Sequence, residues 1–224
     1  MLFENSQDNW EIDLPTSMNT LGLKISGGAD SAIVCYMVAK YVTEERPDII
    51  IHPITAVAST KPFQQIHADK VLRKVESMTG IKFATHQYRT IDSTTVENYI
   101  NQQADLVRDV YESQGLQKHF SGLTANPTAE DAPELYDGAH ALPGSYGPND
   151  TDRSKSIEKK TNTFRPLINV DKKGVAEHYT RLGVLEDLFP LTRSCEEDNV
   201  YTFEEHCGDC WFCRERKWGF GRLV

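Results

Sequence analysis

Two adjacent glycines, Gly27 and Gly28, stand between Leu21–Ile25, which has the composition of a short strand, and Ser31–Tyr41, a helical stretch apolar on most of its faces. A helix of that kind needs burial, and a strand running straight into it supplies a sheet face on which to bury it. The same alternation continues along the chain. Ile49–Val57 is rich in β-branched residues and is expected as a second strand, followed by a helix over 65–78 that Gly80 stops. Phe83–Tyr88 is expected as a third strand, a helix over 95–114 ends at Gly115, and Phe120–Leu123 is expected as a fourth strand. The stretch 124–163 is acidic and interrupted by prolines and glycines, which predicts a long loop. Patterning then returns with Phe164–Leu167 and a helix over 172–182. Connections long enough for parallel pairing predict an α/β fold with a doubly wound parallel sheet, Rossmann-like in outline. Residues 1–190 are expected to form this domain, and 191–224 a small C-terminal metal-binding segment packed on it.

The glycine pair also carries chemistry. In Ser26-Gly27-Gly28-Ala29-Asp30-Ser31 the backbone can approach a phosphate without Cβ obstruction, and the following helix offers unpaired N–H groups and a positive dipole end. Ser26 and Ser31 add hydroxyl donors. The string lacks the Gly-Lys-Ser/Thr ending of a Walker loop and the three spaced glycines of a dinucleotide fingerprint. Read without a ligand, it is a glycine turn with Asp30 as a helix cap.

Four of the five cysteines lie in the C-terminal part of the chain, as Cys195, Cys207, Cys210 and Cys213. Thiolates two residues apart can point at one ion, and four complete the tetrahedral shell of structural Zn²⁺; an iron–sulfur cluster also takes four cysteines, and the spacing leaves both open. A thioredoxin-like redox pair is not expected, because such pairs open a helix in a βαβ unit. Cys35, inside the apolar helix, is expected to be a small buried hydrophobe.

Hydrophobic residues at 39% and charged residues at 25% are ordinary for a globular chain, and no apolar run approaches the ~20 residues of a membrane helix. The polar, acidic first twenty residues do not resemble a secretory leader, so the cytoplasm is the expected compartment and no membrane partner is expected. A net charge of −9 argues against a broad nucleic-acid footprint.

The loop resembles the SGGxDS loop of the PP-loop ATP pyrophosphatases. That resemblance implies an adenine nucleotide alpha hydrolase-like fold in which Ser26, Gly27, Gly28 and Ser31 hold the pyrophosphate of ATP while Asp30 orders the loop or helps place Mg²⁺. Further matches follow in order: Pro166-Leu167 with Lys172 five residues on, Thr192 to Cys195 as T-x-S-C, and the tail Cys207-Gly208-Asp209-Cys210-Trp211-Phe212-Cys213 with Arg216. Together they resemble the 7-cyano-7-deazaguanine synthases. The implied activity is an ATP-dependent ligase of queuosine and deazapurine synthesis that adenylates 7-carboxy-7-deazaguanine and uses ammonia to form the nitrile. It implies ATP, Mg²⁺ and a structural Zn²⁺ as cofactors, a catalytic role for Asp30, phosphate neutralisation by Lys172, and a homodimer. Arg216 is expected either to touch substrate or to brace the cysteine segment.

The middle of the chain departs from that family. Of its Gly-Gln-Arg-His stretch only Gln65 and His67 remain, with His67 expected to face solvent at a helix start, and no counterpart of its Tyr-Pro-Asp-Cys-Arg stretch is visible. A second reading therefore keeps the adenylating chemistry with another acceptor: a related deazapurine, a tRNA base to be thiolated, or another carboxylate. A third is a non-catalytic zinc-ribbon module that binds nucleic acid.

Overall fold

A computed structural model describes residues 1–136, 151–158, 162–195 and 205–224. Part of the expected 124–163 loop, at 137–150 and 159–161, lies outside the described residues.

A short antiparallel hairpin, β1 (Leu2–Glu4) and β2 (Asn9–Glu11), opens the chain. The main sheet has five parallel strands, β3 (Thr20–Lys24), β4 (Ile50–Ala58), β5 (Gln87–Ile91), β6 (Lys118–Phe120) and β7 (Thr163–Phe164), in the order β5-β4-β3-β6-β7. The helices are α1 (Ala29–Glu45), α2 (Phe63–Thr79), α3 (Val96–Gln114), α4 (Lys172–Arg181), the single turn α5 (Leu185–Leu188) and α6 (Trp211–Phe220).

Both faces of the sheet are covered, as the alternation predicts. Leu21, Leu23, Ile25 and Phe120 point to one face and merge with residues of α1, α2 and α4 in a single core that includes Val34, Met37, Val71 and Tyr179. On the opposite face Ile54 meets Leu106, Val110 and Leu116, so α3 packs over a smaller apolar patch. Cys35 is fully buried in α1, and burial pushes its thiol pKa up, which leaves it an inert hydrophobe.

Three strand boundaries depart from the sequence expectation. The third strand is Gln87–Ile91 and not Phe83–Tyr88. Ile81 is buried on the approach, whereas the ladder itself runs through exposed Tyr88, Arg89 and Thr90 on an edge strand, so apolarity marks the wrong segment. The fourth strand is Lys118–Phe120 and stops before Gly122. There the chain crosses the start of α1 so closely that a Cβ on Gly122 would lie 2.6 Å from the Ser31 nitrogen. Of the expected Phe164–Leu167 stretch only Phe164 lies in a strand, together with Thr163 before it.

Strand order places the reversal of winding between β3 and β6. The chain steps outward from β3 to β4 and β5, then returns to the other side of β3 for β6 and β7. In open α/β sheets the crevice at this reversal, beyond the carboxyl ends of the strands, is where ligands bind. The Ser26–Ser31 loop leaves β3 at that crevice.

Candidate functional site

The loop is held from three sides. Gly27 has φ +80, a conformation that favours glycine, and a Cβ there would lie 2.5 Å from the His67 Cβ, so the start of α2 packs directly on the turn. The Gly27 carbonyl accepts the Arg193 backbone N–H at 2.9 Å. Inside the loop the Ser31 hydroxyl donates to the Gly28 carbonyl at 3.0 Å and lies 3.2 Å from the Ser26 hydroxyl. Gly28 is the cap residue of α1, and no side chain caps that helix. The first-turn N–H groups of α1 therefore have no side-chain cap among the described residues. Asp30 is not the cap; it sits inside the first turn.

Asp30 instead belongs to a charge cluster linking three helices. Lys172, first residue of α4, places Nζ 2.8 Å and 2.6 Å from the two Asp30 carboxylate oxygens and 3.4 Å from Glu215 Oε2 on α6. Gly219 lets α6 come this close, since a Cβ there would stand 2.6 Å from Lys172 Cγ. Lys172 and Glu215 are buried, which rules out a surface lysine at a helix start. Burial alone would lower the Lys172 pKa, but Asp30 and Glu215 outweigh it and the pKa is raised. For Glu215, burial and the Asp30 charge win over the attraction of Lys172, and its pKa rises to about 7.

Four thiols gather at the far end. The Sγ atoms of Cys195, Cys207, Cys210 and Cys213 all lie within 4.8 Å of one another, close enough to hold a metal ion, and Cys195, Cys210 and Cys213 are buried. Backbone N–H groups of Asp209 and Cys210 point at Cys207 Sγ from 3.5 Å and 3.3 Å, and the Cys207 N–H points at Cys195 Sγ from 3.4 Å, as thiolates require. Gly208, at φ +81, makes the turn between the close pair.

Arg216 settles as a brace. Fully buried, it donates from Nε to the Leu223 carbonyl at 2.6 Å, from Nη1 to the Thr192 and Ser194 hydroxyls at 2.8 and 3.1 Å, and from Nη2 to the Phe189 and Thr192 carbonyls at 3.1 and 3.2 Å. Its guanidinium also stacks 3.8 Å from the Phe189 ring centroid. It therefore clamps segment 189–194, and that segment touches the glycine loop through Arg193. A continuous path runs from the thiols through Arg216 and Arg193 to Gly27.

His67 corrects an expectation. It is buried, not solvent-facing, with Nδ1 2.7 Å from the Leu191 carbonyl, because the tight Gly27 contact draws the first turn of α2 inward. Two residues of this neighbourhood escape sequence reasoning. Glu215 lies in a stretch dominated by cysteines and aromatics, and nothing in its spacing pairs it with Lys172. Arg193 is the unspecified residue of T-x-S-C; its guanidinium lies 3.7 Å from the Phe63 ring centroid, Nε donates to the Glu205 carbonyl at 3.0 Å, and buried Nη1 has no hydrogen-bond partner among the described residues. Such an orphaned cationic donor beside a glycine loop is the signal that only the folded chain reveals.

Among the described residues no helix is long and apolar enough to cross a membrane. No protein-family model matches the chain, and no curated protein matches it. Among solved structures the chain is similar to the U34-tRNA thiolase NcsA from Methanococcus maripaludis with its [4Fe-4S] cluster, at 13% identity and a TM-score of 0.47, over 91% of this chain and 71% of that one. At that level the likeness carries nothing about reaction, substrate or cofactor.

Proposed function

We propose that the chain is an ATP-dependent adenylating enzyme of the PP-loop kind. The observation that carries this reading is the uncapped glycine loop at the winding reversal of the parallel sheet, with Asp30 and the orphaned Arg193 donor beside it. Loop N–H groups and the Ser26 and Ser31 hydroxyls would grip the pyrophosphate of ATP, leaving the α-phosphate open to attack by an acceptor oxygen. Lys172 holds Asp30 in place, so Asp30 would be already oriented to hold Mg²⁺, and Lys172 would contribute to phosphate neutralisation through this shared charge cluster. Positioning and charge compensation are the protein's share of the work, because the adenylate itself is the activated group.

The acceptor suggested by the sequence resemblance is 7-carboxy-7-deazaguanine, amidated with ammonia and dehydrated to the nitrile. Thiolation of a tRNA base is the less supported acceptor chemistry, since Cys35 is inert and the other four thiols are gathered into one cluster. For that cluster we propose a structural zinc. A tetrahedral ion with Zn–S bonds of about 2.3 Å spaces its sulfurs about 3.8 Å apart, which fits a Cys207–Cys213 separation of 3.9 Å. A four-iron cluster binds each thiolate to a different iron and spreads them wider. The filled shell leaves no open position for substrate, so the ion's share is to fasten segment 192–195 and α6.

Purified protein incubated with ATP, Mg²⁺, ammonium and 7-carboxy-7-deazaguanine tests the reading by mass spectrometry. AMP together with the nitrile is the expected result. AMP with other carboxylates but not this one would move the acceptor, and no AMP with any acceptor would defeat the adenylating reading.

A further inference from the structure

A second group of charges lies on the same sheet edge, on the α3 face. Register fixes it. Gly22 pairs with His119 and Leu23 with Phe120 across β3 and β6, while His119 pairs with Thr163 and Phe120 with Phe164 across β6 and β7. One residue further, the Ser121 N–H donates to the Phe164 carbonyl at 3.0 Å, so Lys24, Ser121 and Arg165 form the last row of the sheet at its carboxyl edge. Alternation sets the face. Leu23, Phe120 and Phe164 belong to the α1-side core, so the row beyond them points to the α3 side. Lys24 confirms it by donating to Gln103 Oε1 on α3 at 2.6 Å. Strands stand about 4.8 Å apart, which puts Lys24 and Arg165 about 10 Å apart at the backbone, with both long side chains able to converge over Ser121.

What distinguishes this row is its lack of counter-charge. Both cations are half-buried, and among the described residues neither has a carboxylate partner. Arg165 Nε is buried and has no hydrogen-bond partner among the described residues. His119, one row below and hydrogen-bonded to the Tyr111 hydroxyl at 2.8 Å, is kept neutral: burial, then Lys24, then Arg165 lower its pKa to about 4. Burial and then Arg165 lower that of Lys24 to about 8. Two like charges held together in a half-dry place, next to an orphaned donor, cost folding energy that no counter-charge among the described residues offsets.

We propose that Lys24 and Arg165, with Ser121 between them, form an anion subsite separate from the phosphate loop, which takes the carboxylate or phosphate group of the second substrate. Its place suits that role: Lys24 is two residues before Ser26, at the same crevice, on the sheet face that α1 does not occupy. The subsite rests on the adenylating reading only for the identity of the ligand as a second substrate; the anion binding itself stands on the row.

The test uses the whole chain with bound metal, and Lys24→Met and Arg165→Met beside it. Thermal unfolding is followed with sodium acetate and with inorganic phosphate as probes, at ionic strength fixed with sodium chloride, with and without Mg²⁺-ATP. Both variants remove a repelled cation and are expected to fold. In the wild type at least one probe should raise the midpoint saturably, also with ATP bound, and in both variants that rise should vanish while ATP binding by calorimetry remains. Acetate acting alone assigns a carboxylate ligand, and phosphate acting alone a phosphate. Equal shifts in wild type and variants, or no shift in the wild type, would overturn the subsite. Loss of ATP binding in the wild type with the anion response intact would refute the adenylating reading and leave the subsite standing.

Discussion

The two groups of charge at the carboxyl edge of the sheet are built in opposite ways. On the α1 face Asp30, Lys172 and Glu215 come from three helices and close on one another, one cation between two carboxylates. On the α3 face Lys24 and Arg165 stand in one row of the sheet, on either side of Ser121, and among the described residues they meet only a glutamine and neutral groups. Buried ion pairs are weak evidence of stabilisation as pairs, but removing one partner from a closed group leaves an expensive charge, while removing one cation from an unmatched pair relieves repulsion. A closed group orients; an open one waits for a ligand. The contrast also extends to what each is hung from, since Glu215 is carried by α6, whose cap residue is Cys210, whereas Lys24 and Arg165 depend on strand register.

The largest expected effect comes from the thiols. Cys210→Ser should lose the metal and about 5 kcal/mol or more of stability, checked by metal analysis and urea unfolding. It should also abolish ATP binding while the response to acetate or phosphate survives wherever the variant remains folded; loss of the anion response in a folded variant would join the two groups that the comparison separates. Next is Lys172→Met, which strands the buried Glu215 carboxylate and the partly exposed Asp30 carboxylate beside it and should cost about 3–5 kcal/mol in urea unfolding. A cost below about 1 kcal/mol would mean that water already reaches the group.

Lys24→Met should act with the opposite sign, raising stability at neutral pH by about 1 kcal/mol. The pH dependence sharpens this. Lys24 in the folded chain has a pKa lowered to about 8, below its unfolded value, so the unfolded chain binds more protons between about pH 8 and 10.5 and stability gains from this residue as pH rises through that window. The gain, roughly 3 kcal/mol over the whole window, should be missing in Lys24→Met when unfolding midpoints are compared across those pH values. A parallel pH profile in both proteins would place Lys24 in water and remove the asymmetry.

The glycine turn at Ser26–Ser31 and the thiol cluster were legible in the sequence because each is a local string of residues. Helices were legible for a related reason: long apolar periodicity survives one-dimensional reading, as α1, α2 and α3 show. Strand ends were not. The edge strand at Gln87–Ile91 is exposed where it pairs, and the β1–β2 hairpin buries only Phe3 and Trp10 from two three-residue strands, too short for a pattern. Groups assembled across the fold were invisible for a deeper reason. Lys24, Ser121 and Arg165 are joined only by register, Glu215 meets Lys172 only because Gly219 admits α6, and Arg193 reaches Gly27 only because Arg216 clamps its segment. None of those conditions has a signature in linear spacing.

The central claim is that the glycine pair leaves room for phosphate, and Gly28 tests it without disturbing the fold. Gly27 cannot serve, since its φ of +80 and its contact with His67 forbid a side chain. Gly28 has φ −81 and ψ 162, which any residue adopts, and an added Cβ would meet nothing nearer than Ser26 Oγ at 3.5 Å. Gly28→Ala should therefore keep its unfolding free energy within about 1 kcal/mol, yet its methyl group projects into the phosphate cradle. Titration calorimetry of Mg²⁺-ATP into wild type and Gly28→Ala should show saturable binding in the first and a dissociation constant weakened by about tenfold or more in the second, a difference of roughly 1.4 kcal/mol. Equal affinity in both proteins, or no binding in the wild type, would contradict the account.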